Sequence, residues 1–278
     1  MGKFKNYIKR GIKYVLHEHK VPIVKVEINQ KSPNNIFEDK IYLVTGGGSG
    51  LGFYIAKKLV EENAKVVITG RNEEKLKKSK KELGDNCDYF VCDVSDVESS
   101  KKMIKEIFEK YNKLDGIVNN AGISLHEWDF MKVTDKNFDD QFYINLKGSY
   151  FLTQEYIRYL ENLNLSGNIL FISSERGTMV DDLPYGLTKS SINSLVKALS
   201  YKYYKKGIRV NAIAPGVTAS DMTSVDKNGD LYNDNNSGRF FVPEEVAEVA
   251  NFLLSDYSKC ISGEIIHTNG GNHIKRGY

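Results

Sequence analysis

The sequence predicts one doubly wound α/β domain, a seven-stranded parallel sheet with helices on both faces. Three observations carry that expectation. From residue 41 onward, short β-branched runs alternate with longer amphipathic segments, the order that yields parallel strands joined by helical crossovers. The first strand runs straight into a glycine-rich string, Gly46-Gly47-Gly48-Ser49-Gly50-Leu51-Gly52, at the start of a helical pattern. The length of 278 residues, with 41% hydrophobic and 27% charged residues, suits one large globular domain.

Residues 41–45 (Ile-Tyr-Leu-Val-Thr) are an unbroken apolar run, as a strand buried on both faces should be. Residues 51–62 follow as a helix, with Tyr54, Ile55, Leu59 and Val60 on one stripe. Strand 65–69 and helix 72–83 repeat the unit, then strand 89–92 and helix 97–111. Strand 116–118 leads to one long helical stretch, 135–162. Strand 168–173 leads to helix 184–204, strand 209–213 to helix 243–254, and residues 264–267 close the sheet. No composition shift divides residues 38–278, which are expected to be a single domain. Residues 1–37 form an extension before it. Residues 219–242 lack periodicity and are rich in Asp, Asn, Ser and Gly; so long a loop in a compact domain is usually functional or mobile.

The charge balance excludes several classes of function. There are 39 basic and 36 acidic side chains, a net charge of +3, too small an excess for a dedicated nucleic-acid binder. The excess lies in residues 1–20, where Lys3, Lys5, Lys9, Arg10, Lys13 and Lys20 face one Glu18. Phe4, Ile8, Ile12, Val15 and Leu16 recur there at helical spacing. This basic amphipathic arm suits peripheral contact with an anionic membrane, or packing on the body or a partner subunit. No apolar run reaches the ~18–20 residues of a membrane span. Cys87, Cys92 and Cys260 make neither a disulfide framework nor a metal-ligand set, so no metal is expected and the expected location is the cytoplasm.

The chemistry is expected at the carboxyl ends of the strands. Glycine lets a phosphate approach the backbone, and the helix start supplies free N–H groups to an anion, so Gly46, Gly48, Ser49, Gly50, Leu51 and Gly52 are candidate phosphate contacts. After the second strand, the place where an acidic residue would bind the ribose 2′-OH is taken by Gly70, and Arg71 follows. Arg71 could pair with a 2′-phosphate or lie in solvent; the first reading favours NADP(H) over NAD(H). Tyr185 and Lys189 are four apart, hence on one helix face. A nearby ammonium stabilises a phenolate, which makes tyrosine usable as an acid–base group near neutral pH. Ser173-Ser174, Asn119-Asn120-Ala121-Gly122 and Pro215-Gly216 fall at neighbouring strand ends, and Asn145 lies in the long helical stretch.

Taken together these motifs resemble the short-chain dehydrogenase/reductase family, the Rossmann-like type of about 250 residues, over residues 38–272. The resemblance implies roles. Tyr185 is the general acid or base, Lys189 lowers its pKa and binds the nicotinamide ribose, Ser174 orients the carbonyl, and Asn145 holds a water in a proton relay. It also implies that Asp93 and Val94 contact the adenine, that Asn119, Ala121, Gly122, Pro215 and Gly216 lie along the cofactor, and that Val217 and Thr218 meet the carboxamide of the nicotinamide. Residues 219–242 would be the substrate lid, and the chain would form a homodimer or homotetramer. Two positions depart from the family pattern: Asn269 stands where Asp is common, and Ser49 where NADP-type members often carry a second cation.

The implied activity is NADP(H)-dependent hydride transfer between nicotinamide and a small ketone or secondary alcohol, of 3-oxoacyl-thioester or sugar type. The lid residues Asp221, Asp226, Lys227, Asp230, Asp234, Asn235 and Arg239, with Glu175 and Arg176 after the serine, suggest a polar substrate rim, or are solvated loop residues. The alternatives are a sugar-nucleotide epimerase or dehydratase, disfavoured by the glycine spacing and short C-terminal region, and a silent cofactor-binding scaffold, which would have no chemical need for all four of Asn145, Ser174, Tyr185 and Lys189.

Overall fold

The computed structural model of the chain describes residues 35–220 and 222–274. The membrane or packing role of residues 1–20 therefore lies outside the described residues, as does Asp221. The order is β1 (Ile41–Thr45), α1 (Gly50–Glu61), β2 (Lys65–Gly70), α2 (Glu73–Leu83), β3 (Cys87–Val91), α3 (Val97–Tyr111) and β4 (Gly116–Asn119). Then come α4 (Asp135–Gln141), α5 (Ser149–Leu163), β5 (Gly167–Ile172), α6 (Pro184–Tyr203), β6 (Ile208–Pro215), α7 (Pro243–Leu254) and β7 (Ile265–Thr268). The seven strands form one sheet in the order β3-β2-β1-β4-β5-β6-β7, with every neighbour pair parallel.

The period of two along each strand sorts the core into two layers. Tyr42 and Val44 of β1, Val66 and Ile68 of β2 and Val118 of β4 face α1 and α7, where they meet Ile55, Leu59, Val246 and Leu253. Ile41, Leu43, Val67 and Ile117 point the other way, onto Ile104 and Ile107 of α3, Leu152 and Tyr156 of α5 and Val196 of α6. Strands covered on both faces need no polar face, which explains the unbroken apolar runs. The chain reverses its direction of sheet growth between β1 and β4, and their carboxyl ends open a crevice there.

Three differences from the sequence expectation have physical causes. β3 begins two residues early, because Cys87 pairs with Val66 in the ladder. The stretch expected as one helix is interrupted. Between α4 and α5, residues Phe142–Gly148 form a π-helical turn, which holds Asn145. Such turns insert a residue into the helical ladder and are frequent at functional sites. Residues 219–242 are not simply a solvated loop. Thr218 bridges Phe241, Tyr232 bridges Arg239, and Ala219, Leu231 and Val242 close a small apolar cluster with Val225 and Phe240. Among the described residues no helix is long and apolar enough to cross a membrane.

Candidate active site

The crevice is built on a hydrogen-bonded knot between β1 and β4. The Thr45 hydroxyl donates to the Val118 carbonyl (3.2 Å) and accepts from the N–H groups of Asn120 and Ala121 (3.0 Å each). The Asn120 amide donates to the carbonyls of Thr45 (2.9 Å) and Gly46 (3.3 Å). The glycine-rich turn is thereby fixed before any ligand arrives. Gly46 sits at φ +66°, and a Cβ there would come within 2.9 Å of the Asn120 amide. A Cβ at Gly52 would collide with that amide and with the Gly46 carbonyl, so this glycine sets the approach of α1 to the loop. Ser49 precedes α1 without a side-chain capping bond, so its hydroxyl takes up no N–H of the first turn.

From this turn a cleft of about 460 Å³ extends along the strand ends. One end is lined by Gly46, Gly48, Ser49, Gly50 and Leu51, facing Arg71, Asn72 and Lys75 at the start of α2. Asp93 and Val94 line its floor, with the Asp93 carboxylate accepting from the N–H (2.9 Å) and hydroxyl (2.7 Å) of Ser95. Ala121, Gly122, Pro215, Gly216 and Thr218 carry it toward the other end, which holds Ser174, Tyr185 and Lys189. A dinucleotide has this elongated shape, with phosphates against glycine backbone and a helix start. The residues present fit such a ligand.

Tyr185 and Lys189 stand on the first turns of α6, which starts at Pro184, a residue suited to the first helical position. The Lys189 ammonium donates to the Ile172 carbonyl (2.7 Å) and lies 5.6 Å from the centroid of the Tyr185 ring. Burial pulls the Lys189 pKa down from 10.5 to about 8. Burial pushes the Tyr185 pKa up; a hydrogen bond with the Ser174 hydroxyl and the nearby Arg176 charge oppose that rise, and Glu175 adds to it. The phenol, half-buried and facing the cleft, is therefore a proton donor with cations nearby to stabilise the anion that donation leaves.

Four of the expected residues do not line the cleft. Gly52 shapes it from behind. Asn119 is buried and donates to the Thr153 hydroxyl (2.9 Å). Val217 pairs with the lid, its carbonyl accepting from Phe241 (3.0 Å). Asn145 is locked in place: its side-chain oxygen accepts from the Ile123 N–H (2.8 Å), and its amide donates to the Ile123 carbonyl (2.9 Å) and Thr188 hydroxyl (3.2 Å). Both N–H groups of that amide are used, and its oxygen accepts one bond. Conversely, Thr45 and Asn120, which the sequence places in its motifs without a role, and Lys75, which it does not single out, belong to the site. Asn120 was legible from its place inside the Asn-Asn-Ala-Gly string. Lys75 was legible as one helical turn beyond Arg71.

Part of the polar rim expected from the lid is paired with the body, while Asp226, Asp230 and Asp234 stay exposed. Arg239 forms a two-pronged pair with Glu245 (2.7 and 2.8 Å) and Lys227 pairs with Glu244, both on the first turn of α7. Glu175 is buried and accepts from the amides of Asn269 and Asn272, both at 3.0 Å. Arg176 is held by Asp181. These side chains fasten the lid and the segment after β5 to the body, and this pairing replaces the sequence reading of Lys227, Arg239, Glu175 and Arg176 as rim or solvated groups.

The family model described as "Enoyl-(Acyl carrier protein) reductase" matches residues 46–273. A 3-oxoacyl-[acyl-carrier-protein] reductase FabG from Rickettsia conorii is 36% identical over 243 residues, covering 84% of this chain and 96% of that protein. Among solved structures, a 3-ketoacyl-(acyl-carrier-protein) reductase from Brucella melitensis complexed with NADH superposes with a TM-score of 0.79 at 28% identity, covering 85% of this chain and 99% of that one. A short-chain type dehydrogenase/reductase from Mycobacterium ulcerans gives a TM-score of 0.80 at 28% identity, covering 87% and 92%.

Proposed function

This chain belongs to the short-chain dehydrogenase/reductase family, and we propose that within it the protein reduces the 3-oxo group of acyl thioesters with NADPH. The observation that carries the proposal is one continuous cleft with the glycine-rich turn, Arg71 and Lys75 at one end and Ser174, Tyr185 and Lys189 at the other. The names and coverage of the relatives support the 3-oxoacyl substrate. Two cations beside the adenosine end support the 2′-phosphate preference: Lys75 supplies from α2 the charge that Ser49 does not.

When bound, the reduced nicotinamide supplies the hydride. The protein supplies position and a proton. The hydroxyls of Ser174 and Tyr185 are neighbours and both face the cleft, so a carbonyl oxygen placed between them accepts from both, in place of their contact with each other. As negative charge grows on that oxygen, Tyr185 Oη gives up its proton. The Lys189 ammonium stabilises the phenolate that remains. The Asn145 side-chain oxygen accepts from Ile123 and its main-chain carbonyl from the Ser149 hydroxyl (3.0 Å), so a water held by Asn145 for reprotonation would share one of these two oxygens. Self-association of the protein, which we place in the cytoplasm, is supported by the groove between α5 and α6, where Tyr150, Leu195 and Leu199 offer apolar surface.

The test is twofold. NADPH and NADH are titrated in parallel by nicotinamide fluorescence, and NADPH consumption is followed with acetoacetyl-CoA, a simple ketone and a keto-sugar. Tighter NADPH binding with turnover of the thioester supports the reading. Equal or tighter NADH binding removes the Arg71 argument, and turnover of the sugar alone removes the thioester.

A further inference from the structure

The segment after Ser174 carries a charged device to which the proton-transfer steps above assign no role. The Arg176 guanidinium carbon lies 5.9 Å from the centroid of the Tyr185 ring, at nearly the same distance as the Lys189 ammonium. It does not reach there by chance. Its Nη2 donates to Asp181 Oδ1 (2.7 Å) and its Nε to Asp181 Oδ2, a planar two-pronged pair. Asp181 is itself built in. Its side chain is only 7% exposed, and it accepts from the Leu183 N–H (3.0 Å) at the start of α6. It also packs so closely on Gly186, the residue after Tyr185, that a Cβ there would overlap the carboxylate. A glycine at 186 therefore seats the carboxylate, and the carboxylate aims the arginine at the phenol.

We propose that Arg176, clamped by Asp181 against the first turn of α6, is a positioning residue that acts through Tyr185, supplying with Lys189 the second of two cations that flank the phenol and set the pH range over which it donates its proton. The inference rests on the acid–base reading of Tyr185. The other charged and titratable groups near the phenol are few. Lys189 faces it from α6. Glu175 faces it from the same segment as Arg176 and opposes the arginine. His267 of β7, stacked on His273, faces Glu175 from the far side. Glu175 keeps its charge but is held away by the amides of Asn269 and Asn272, and Asp181 carries the charge that pairs with Arg176.

The Arg176 side chain is 35% exposed, so water screens it and the effect is moderate. The test is the pH profile of kcat/KM for NADPH-dependent reduction of acetoacetyl-CoA, measured for wild type, Arg176→Gln, Arg176→Lys and Tyr185→Phe, with NADPH affinity measured alongside. Reduction needs the protonated phenol beside the Lys189 ammonium, and both groups lose protons as pH rises, so the rate falls on the alkaline side. Removing a neighbouring cation raises the pKa of both, and the alkaline limb of Arg176→Gln moves up by about half to one pH unit. NADPH affinity stays within about twofold, because Arg176 is outside the nucleotide cleft. Arg176→Lys restores at least half of the shift. A limb that stays in place overturns the inference. So does a rise in KM with the limb unmoved, which would make Arg176 a substrate contact instead. If Tyr185→Phe retains turnover, the underlying acid–base reading fails; if it loses turnover while the Arg176→Gln limb stays put, only this inference fails.

Discussion

Lys189 is the place where the energetics of the site can be measured without substrate or nucleotide. Its ammonium is buried, with one hydrogen bond to the Ile172 carbonyl, and burial lowers its pKa from 10.5 to about 8. In the unfolded chain the lysine returns to its ordinary value. Below about pH 8 both states are protonated, and the folded protein carries the full cost of a buried charge, about 3 kcal/mol for a shift of this size. Between that point and about pH 10.5 the unfolded state binds more protons than the folded state, so stability rises with pH. Lys189→Met keeps the volume and removes the titration. It also removes the bond to Ile172, at a pH-independent cost of about 1–3 kcal/mol. The difference at one pH is therefore ambiguous, but its slope is not. Urea unfolding of both proteins at about pH 7 and about pH 9.5 should show wild type gaining about 2 kcal/mol relative to the variant. Cys87 and Tyr111, each pushed up to about 12 chiefly by burial, destabilise the fold as pH rises, but they are common to both proteins and cancel. Parallel curves would refute the reasoning, because they would mean that the Lys189 charge is not penalised by its surroundings.

The remaining predictions concern nucleotide binding. Arg71→Ala should weaken NADPH by about tenfold, about 1.4 kcal/mol, and leave NADH unchanged; equal weakening of both in the fluorescence titration would detach Arg71 from the 2′-phosphate. Gly52→Ala forces a methyl into the Asn120 amide and the Gly46 carbonyl. It should raise the Kd of both nucleotides by about tenfold or more and lower stability by about 1–3 kcal/mol, despite alanine's better helix propensity; an unchanged Kd would mean that the loop yields freely. Asn120→Ala cuts the two bonds that hold the turn to β4 and should cost about 1–2 kcal/mol in thermal unfolding, with weaker binding of both nucleotides.

The fold was legible because its signal is local and repeated. Each strand declares itself by a β-branched run, each helix by its stripe, and the parallel order follows from their alternation. The site was legible for a related reason. Strand ends such as Asn119, Ser174 and Pro215 converge in any doubly wound sheet, so motifs far apart in sequence meet at one edge. The π turn around Asn145 was not legible. The residues 135–162 form a credible single helix, and the extra residue in the ladder is fixed by side-chain bonds to Ile123 and Thr188, which only tertiary contact supplies.

Charge partners were the larger gap. Lys227, Arg239, Glu175 and Arg176 read as rim or solvated groups because a single sequence gives each side chain without its counterion. Two of the partners are near in sequence, Glu245 six residues from Arg239 and Asp181 five from Arg176, yet across a turn whose geometry is set elsewhere. The partners of Glu175 are more distant still. Asn269 stands where the family often has an acid, and the structure gives this a consequence: an amide can donate to the buried Glu175 carboxylate, whereas an aspartate at 269 would face it with like charge. The choice of Asn269 thus depends on the residue beside the serine. The departure from the family pattern at Asn269 and the acid beside the serine meet in one interaction, which joins the C-terminal segment to the loop that carries Ser174.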